Sequence, residues 1–173
     1  VALTPESRFQ LASLSKVVAT AFSLEFFSQR EIDLETSVTE LLREIKSPFV
    51  LKAVEEHWVA DVRLWHLFSH AALNLHYVPG IPCAEKFPTT ISLLQKAHGY
   101  GEVIVDRPPG TIFSYSGGGF LLLQHIVEEM SNQSIDSLLR PFLDKMELSE
   151  LSFDSEENFS RVKNYDDSGR PVE

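Results

Sequence analysis

Arg8-Phe9-Gln10-Leu11-Ala12-Ser13-Leu14-Ser15-Lys16 sets a serine three residues ahead of a lysine, where the chain turns from an extended pattern to a helical one. Upstream, Thr4-Pro5-Glu6 reads as a turn, and Arg8 to Leu11 alternates polar with apolar as an extended segment does. Downstream, Leu14, Val17, Val18, Ala21, Phe22, Leu24, Phe26 and Phe27 cover more than one stripe. This predicts a helix from Ser13 to about Arg30 that is buried on most sides. On a helix the spacing puts Ser13 and Lys16 on one face, with Cβ atoms about 5–6 Å apart. A serine hydroxyl is a poor nucleophile until a base takes its proton. A lysine held among apolar neighbours loses stability as an ammonium, so its amine can serve as that base. Unpaired N–H groups at the helix start could face a developing oxyanion. Ser15 points elsewhere around the helix and is the weaker candidate. By itself the spacing more simply describes an N-cap serine and a surface lysine. The apolar surroundings are what argue for a partnered lysine.

A second element, Pro109-Gly110-Thr111-Ile112-Phe113-Ser114-Tyr115-Ser116-Gly117-Gly118, brings a tyrosine to a loop-to-helix junction. There it can shuttle protons if a nearby cation lowers its pKa; otherwise it is a core aromatic with a satisfied hydroxyl. Between the two elements, Glu31-Ile32-Asp33-Leu34 is a connector. Residues 36–46 form a short amphipathic helix stopped by Pro48, and residues 50–58 are weakly helical. Asp61 caps a helix running through Ser69. Prolines 79, 82 and 88 with Gly80 describe an irregular loop over 71–90, and 90–98 recovers helical spacing. Val103-Ile104-Val105 is a short strand. Helices follow from about Phe120 to Met130 and from Ser134 to Lys145, and Asp166-Asp167-Ser168-Gly169 is a hairpin turn.

The bulk numbers bound the possible partners. The chain has 173 residues, enough for one unit with a sizeable core. Fifteen basic against 25 acidic residues give a net charge of −10, with no Lys/Arg-rich run. That argues against a nucleic-acid surface and against attraction to an anionic membrane. No apolar stretch approaches the roughly 20 residues of a membrane span, and no leader is visible in this chain. The single cysteine, Cys83, forbids an internal disulfide and leaves the redox compartment undecided; it reads as an inert thiol. His66 and His70 stand at i, i+4, a zinc-compatible spacing, but no glutamate follows His66 and no third ligand is evident, so no metal or other cofactor is assigned. Gly117-Gly118-Gly119 lacks the Lys-Ser/Thr of a phosphate loop and reads as tight packing against the Ser13 helix. Ser114-Tyr115-Ser116-Gly117-Gly118 is not a Gly-x-Ser-x-Gly elbow.

Taken in order, these segments resemble one family. Arg8 to Lys16 is similar to the active-site helix entry of class C β-lactamases, D-alanyl-D-alanine carboxypeptidases and β-lactamase-like carboxylesterases. Glu31 to Leu34, His66-Leu67-Phe68-Ser69-His70, the tyrosine loop with Phe120-Leu121-Leu122-Leu123, Leu148 to Phe153 and Tyr165 to Pro171 resemble the segments that follow. The resemblance implies an α+β, β-lactamase/transpeptidase-like fold, of which this chain is mostly the helical part with much of the antiparallel sheet missing. Residues 1–173 would then be a single unit, a piece of a larger domain. It also implies Ser13 as the acylated nucleophile, Lys16 as its base partner and Tyr115 as the proton shuttle. The reaction it implies is acyl transfer from a small-molecule substrate (a β-lactam, a D-Ala peptide or an ester) to serine and then to water.

Departures from the pattern are specific. Where the family reads Tyr-x-Asn, the third position is Gly117, a substrate-binding position left without a side-chain donor. Ala71-Ala72-Leu73 replaces Thr-Ser-Gly after the histidine, and Lys145-Met146-Glu147-Leu148 replaces a Pro-Leu-Gly-Met-like stretch. No Lys/His-x-Gly motif follows Tyr115, and one oxyanion donor is worth about 2.7–4 kcal/mol. A helical half without its sheet leaves apolar surface bare. The alternative reading is a catalytically inactive relative serving as a binding or scaffold module.

Overall fold

The computed structural model describes residues 3–4, 7–76, 81, 87–153, 164–165, 168 and 170–172. Cys83, Pro79, Gly80, Pro82 and most of the acidic tail lie outside them, as do Asp166, Asp167 and Gly169 of the expected hairpin turn. Seven helices are described: α1 (Ser15–Ser28), α2 (Val38–Glu44), α3 (Trp58–Asp61), α4 (Leu64–Phe68), α5 (Thr90–Leu94), α6 (Gly117–Ser131) and α7 (Ile135–Lys145). Strands β1 (Lys52–Ala53) and β2 (Ile104–Val105) pair in parallel, and β3 (Asn164–Tyr165) pairs antiparallel with β4 (Pro171–Val172). The described residues are thus rich in helix with little sheet. None of their helices is long and apolar enough to cross a membrane.

The core forms where apolar stripes meet. Helix α6 packs against α1, α4, α5 and α7, burying Leu122, Leu123, Ile126 and Val127. Leu64 and Leu67 of α4, Leu139 and Leu143 of α7, and Phe22, Phe26 and Phe27 of α1 complete this cluster. Phe27 meets Phe26 and Phe68 edge-on, with ring centroids 5.5 and 6.5 Å apart. Helices α5, α6 and α7 each begin at a hydroxyl cap: the hydroxyls of Thr89, Ser116 and Ser134 accept the N–H groups of Ser92, Gly119 and Ser137.

Four expectations need correction. Residues 50–58 are not weakly helical. Phe49 and Leu51 point inward while Val50, Lys52 and Val54 point outward, and this period of two feeds β1 rather than a helix. Asp61 ends α3 instead of capping the next helix. Arg63 is the cap of α4, with His66 Nδ1 accepting the Arg63 N–H at 2.8 Å. The 90–98 helix stops at Leu94 because Lys96 adopts φ 71. Gly117-Gly118-Gly119 forms the first turn of α6. A Cβ on Gly118 would lie 3.1–3.3 Å from Leu75, Asn74 and Val103, and one on Gly119 would lie 3.4 Å from the Leu67 carbonyl. Gly118 and Gly119 admit α4, the 74–75 segment and Val103 rather than the Ser13 helix.

The burial of three imidazoles makes the fold sensitive to acid. Desolvation is the leading cause that lowers the pKa of His66, His70 and His125 below the ordinary 6.5. Carboxylates work against it: Glu35 and Asp61 at His66, and Glu129 and Glu128 at His125. The unfolded chain therefore binds more protons than the folded one just below pH 6.5. Stability is complete above that pH and falls as the pH drops toward the lowered values. Urea midpoints taken from pH 8 to pH 5 should decline below about pH 6.5. The decline should shrink in His125→Gln.

Candidate active site

The extended entry reaches Ser13 through a 3-10 turn, Ala12–Leu14, that precedes α1. Ala12 takes φ 46 there, a left-handed conformation that costs a residue with a Cβ about 1–2 kcal/mol. Ser13 is exposed and Lys16 half-buried, so this end of the helix is more open than its apolar composition predicts. The buried residues of α1 all lie in its second half, from Phe22 to Phe27. Leu14 and Val17 stand 66% and 69% exposed beside the serine.

The tyrosine loop comes to the same place from the opposite side. The Gly110 N–H donates to the Ala71 carbonyl at 2.7 Å, and the Ser114 N–H donates to the His70 carbonyl at 2.8 Å. The Ser116 hydroxyl donates to the Asn74 carbonyl. Asn74 in turn accepts the Ile104 N–H at 2.9 Å and donates to the Glu102 carbonyl at 3.0 Å. The loop is therefore stitched to the segment after α4 and to β2, immediately before α6 starts. This stitching holds the Tyr115 hydroxyl 2.7 Å from Ser13 Oγ, to which it donates.

Ser13, Lys16 and Tyr115 are accordingly one cluster. Lys16 Nζ donates to Ser13 Oγ at 3.3 Å and lies 5.1 Å from the Tyr115 ring centroid and 5.5 Å from that of Phe120. Hydrogen bonding by Lys16, then by Ser13, holds the Tyr115 phenol below its ordinary value of 10.0, against a smaller opposing effect of burial. Gly117 follows the cluster without a side chain, and its N–H bonds to the carbonyls of Leu75 (2.9 Å) and His76 (3.3 Å).

His66 and His70 do not share a ligand site. His66 is buried, with its ring 3.8 Å from that of Trp65. His70 lies beyond the end of α4 at φ 56, so its ring turns to Tyr115, 4.4 Å away. Among the described residues no three His, Cys, Asp or Glu side chains converge as metal ligands. Sequence reasoning missed Asn74 and the position of His70. The segment around each was legible, but partners 30 to 46 residues away leave no local pattern.

Gly110 shows why the loop needs its glycine. Its φ is +77, and an added Cβ would sit 2.9 Å from His66 Nε2. Gly99, at φ +74, has nothing within 4 Å of the same atom. Gly99→Ala should therefore cost only the conformational penalty, about 1–2 kcal/mol. Gly110→Ala should cost that plus displacement of a buried ring. Thermal unfolding of the two variants isolates the second contribution, and equal losses would contradict this account.

A fold rich in helix, with serine, lysine and tyrosine meeting at the start of one helix and the mouth of another, defines a class. The Beta-lactamase family model matches residues 1–171, and the chain belongs to that family. It is similar to penicillin-binding protein 4 of Amycolatopsis lactamdurans, 30% identical over 146 residues, covering 81% of this chain and 34% of that protein. The putative fimbrial assembly protein FimD, serogroup D, of Dichelobacter nodosus is 27% identical over 141 residues, covering 79% of this chain and 32% of that protein. Among solved structures, the β-lactamase/D-alanine carboxypeptidase of Yersinia pestis complexed with citrate matches with a TM-score of 0.62 at 20% identity. It covers 83% of this chain and 39% of that one, and shows the shared fold. The chain spans about a third of the length of the curated relatives it matches.

Proposed function

We propose that the chain carries the nucleophile-bearing part of a serine hydrolase that works through an acyl-enzyme on Ser13. The observation that carries this reading is the convergence on Ser13 Oγ of two hydrogen bonds, from the Tyr115 hydroxyl at 2.7 Å and from Lys16 Nζ at 3.3 Å. Two proton-transfer groups from separate segments on one serine oxygen are what acyl transfer requires.

In the reacting state the Lys16 amine takes the Ser13 proton as Oγ bonds to the substrate carbonyl carbon. The resulting ammonium returns that proton through Tyr115 to the leaving nitrogen or oxygen as its bond to carbon breaks. Water then attacks the ester on Ser13, giving its proton to the same pair. The acid leaves, and the Ser13 hydroxyl is restored. The substrate is a β-lactam, a D-Ala-terminated peptide or a small ester. Bare Leu14 and Val17 support a larger domain in which further chain covers this face and completes the site.

Steady-state assays of the full-length protein test this reading, using a chromogenic cephalosporin, a D-Ala-D-Ala peptide and a p-nitrophenyl ester. Turnover of at least one substrate that disappears in Ser13→Ala supports it. Turnover that survives Ser13→Ala overturns it by placing the chemistry elsewhere, and none with well-folded protein overturns it and leaves the binding-module alternative.

A further inference from the structure

One residue grips three consecutive positions of the tyrosine loop. The His70 carbonyl accepts the Ser114 N–H at 2.8 Å, and His70 Nδ1 accepts the Ser116 N–H at 3.0 Å. Between those bonds its ring stacks on Tyr115, with centroids 4.4 Å apart and planes at 29°. We propose that His70 is the positioning residue of this site, holding the Tyr115 phenol on Ser13 by stacking and by fixing the backbone on both sides of the tyrosine. The proposal rests on the hydrolase reading for its catalytic consequence, but not for its geometry.

The physical case is one of rotational freedom. A tyrosine at a loop-to-helix junction can swing about χ1 and χ2, and its hydroxyl sits far from the backbone, so a small rotation moves it by an ångström. Displacement of a reacting group on that scale can cost about 100-fold in rate. His70 removes this freedom from one face of the ring. Phe113 and Phe120 flank the imidazole in turn, at 5.8 and 5.4 Å. The left-handed backbone at His70, φ 56, lets carbonyl and ring serve the same strand of loop.

The Ser116 bond also sets the proton on His70. An acceptor Nδ1 requires the neutral ring with its hydrogen on Nε2. The Ser116 carbonyl is 3.1 Å from the same nitrogen, so a protonated Nδ1 would donate there and leave the Ser116 N–H without its acceptor. Among the described residues, Lys16, His76 and the Tyr115 hydroxyl are the titratable groups facing His70, and no Glu or Asp acts on it. Burial is the leading cause that lowers the His70 pKa below the ordinary 6.5, against the opposing pull of the Ser116 backbone, and so favours the neutral ring. Acid should therefore loosen Tyr115.

The test combines a spectroscopic readout with kinetics on the full-length protein. Tyrosine labelled with 13C at Cζ reports the Tyr115 phenol, assigned by its loss in Tyr115→Phe. In wild type it should titrate below 10.0, and in His70→Ala it should return toward 10.0 as the ring leaves Lys16 and Ser13. Acylation by a fluorescent penicillin should fall about 10- to 100-fold in His70→Ala, with the binding constant unchanged. His70→Phe keeps a stacking ring and should retain more activity, while losing the part of the acid-side rate decline that belongs to His70. An unmoved Tyr115 titration in folded His70→Ala, or an unchanged acid limb in His70→Phe, overturns the proposal. If wild type is acylated by neither the penicillin nor a fluorophosphonate and turns over no peptide or ester, but the Tyr115 titration still moves in His70→Ala, the positioning role is supported and the hydrolase reading fails.

Discussion

Replacing Lys16 with alanine is expected to slow acylation of Ser13 by about 10²- to 10⁴-fold, the range for removing a general acid–base group. The expectation rests on position, because Lys16 Nζ is 3.3 Å from Ser13 Oγ and no other lysine or arginine nitrogen is described as bonded to that serine. Tyr115→Phe removes the 2.7 Å hydrogen bond to the same oxygen and should cost a comparable factor. The double variant should lose much less than the product of the two, since in the proposed mechanism the groups relay one proton as a unit. Stopped-flow measurement of acylation by a fluorescent penicillin, at pH 7 on the full-length protein, reads all three. An unchanged rate in Lys16→Ala would remove the lysine from the chemistry.

The largest stability effect is expected at Phe27, which is completely buried and meets Phe26 and Phe68 edge-on. Phe27→Ala deletes a ring from the junction of α1 and α4, two of the elements that frame the site. Truncations of this kind cost about 3–5 kcal/mol, part of it from the cavity left behind. Urea unfolding should show the loss as a lower midpoint with an unchanged slope. Leu14→Ala, at a residue 66% exposed, should change stability in this chain by less than about 0.5 kcal/mol. A similar loss at both positions would mean that the core is not centred where the structure puts it.

Much of this is legible in the amino-acid sequence. Helices α6 and α7 are visible from their apolar runs, although α6 begins at Gly117 rather than near Phe120. The short strand β2 was readable from three apolar residues between Gly101 and Pro108. Its partner β1 was not, because a two-residue strand is defined by the neighbour it pairs with, and Lys52–Ala53 finds Ile104–Val105 some 50 residues away. The cap of α4 was misplaced because aspartate is the commoner signal, whereas Arg63 and His66 make this cap. Within the site, the Ser13 and Lys16 spacing is weak evidence alone, and the tyrosine loop in its family order is what joins Tyr115 to the pair. Their mutual distances, the openness around Ser13 and the grip of His70 on the loop depend on contacts between distant segments, which spacing does not encode.

The central claim is that Ser13 is the nucleophile, and the position of a covalent adduct tests it most directly. Full-length protein incubated with a fluorescent penicillin or a fluorophosphonate, digested and mapped by mass spectrometry, should carry the adduct on the peptide containing Ser13. The adduct should be absent in Ser13→Ala and weakened in Lys16→Ala. An adduct on another serine, such as Ser15, or none on well-folded protein, would contradict the account.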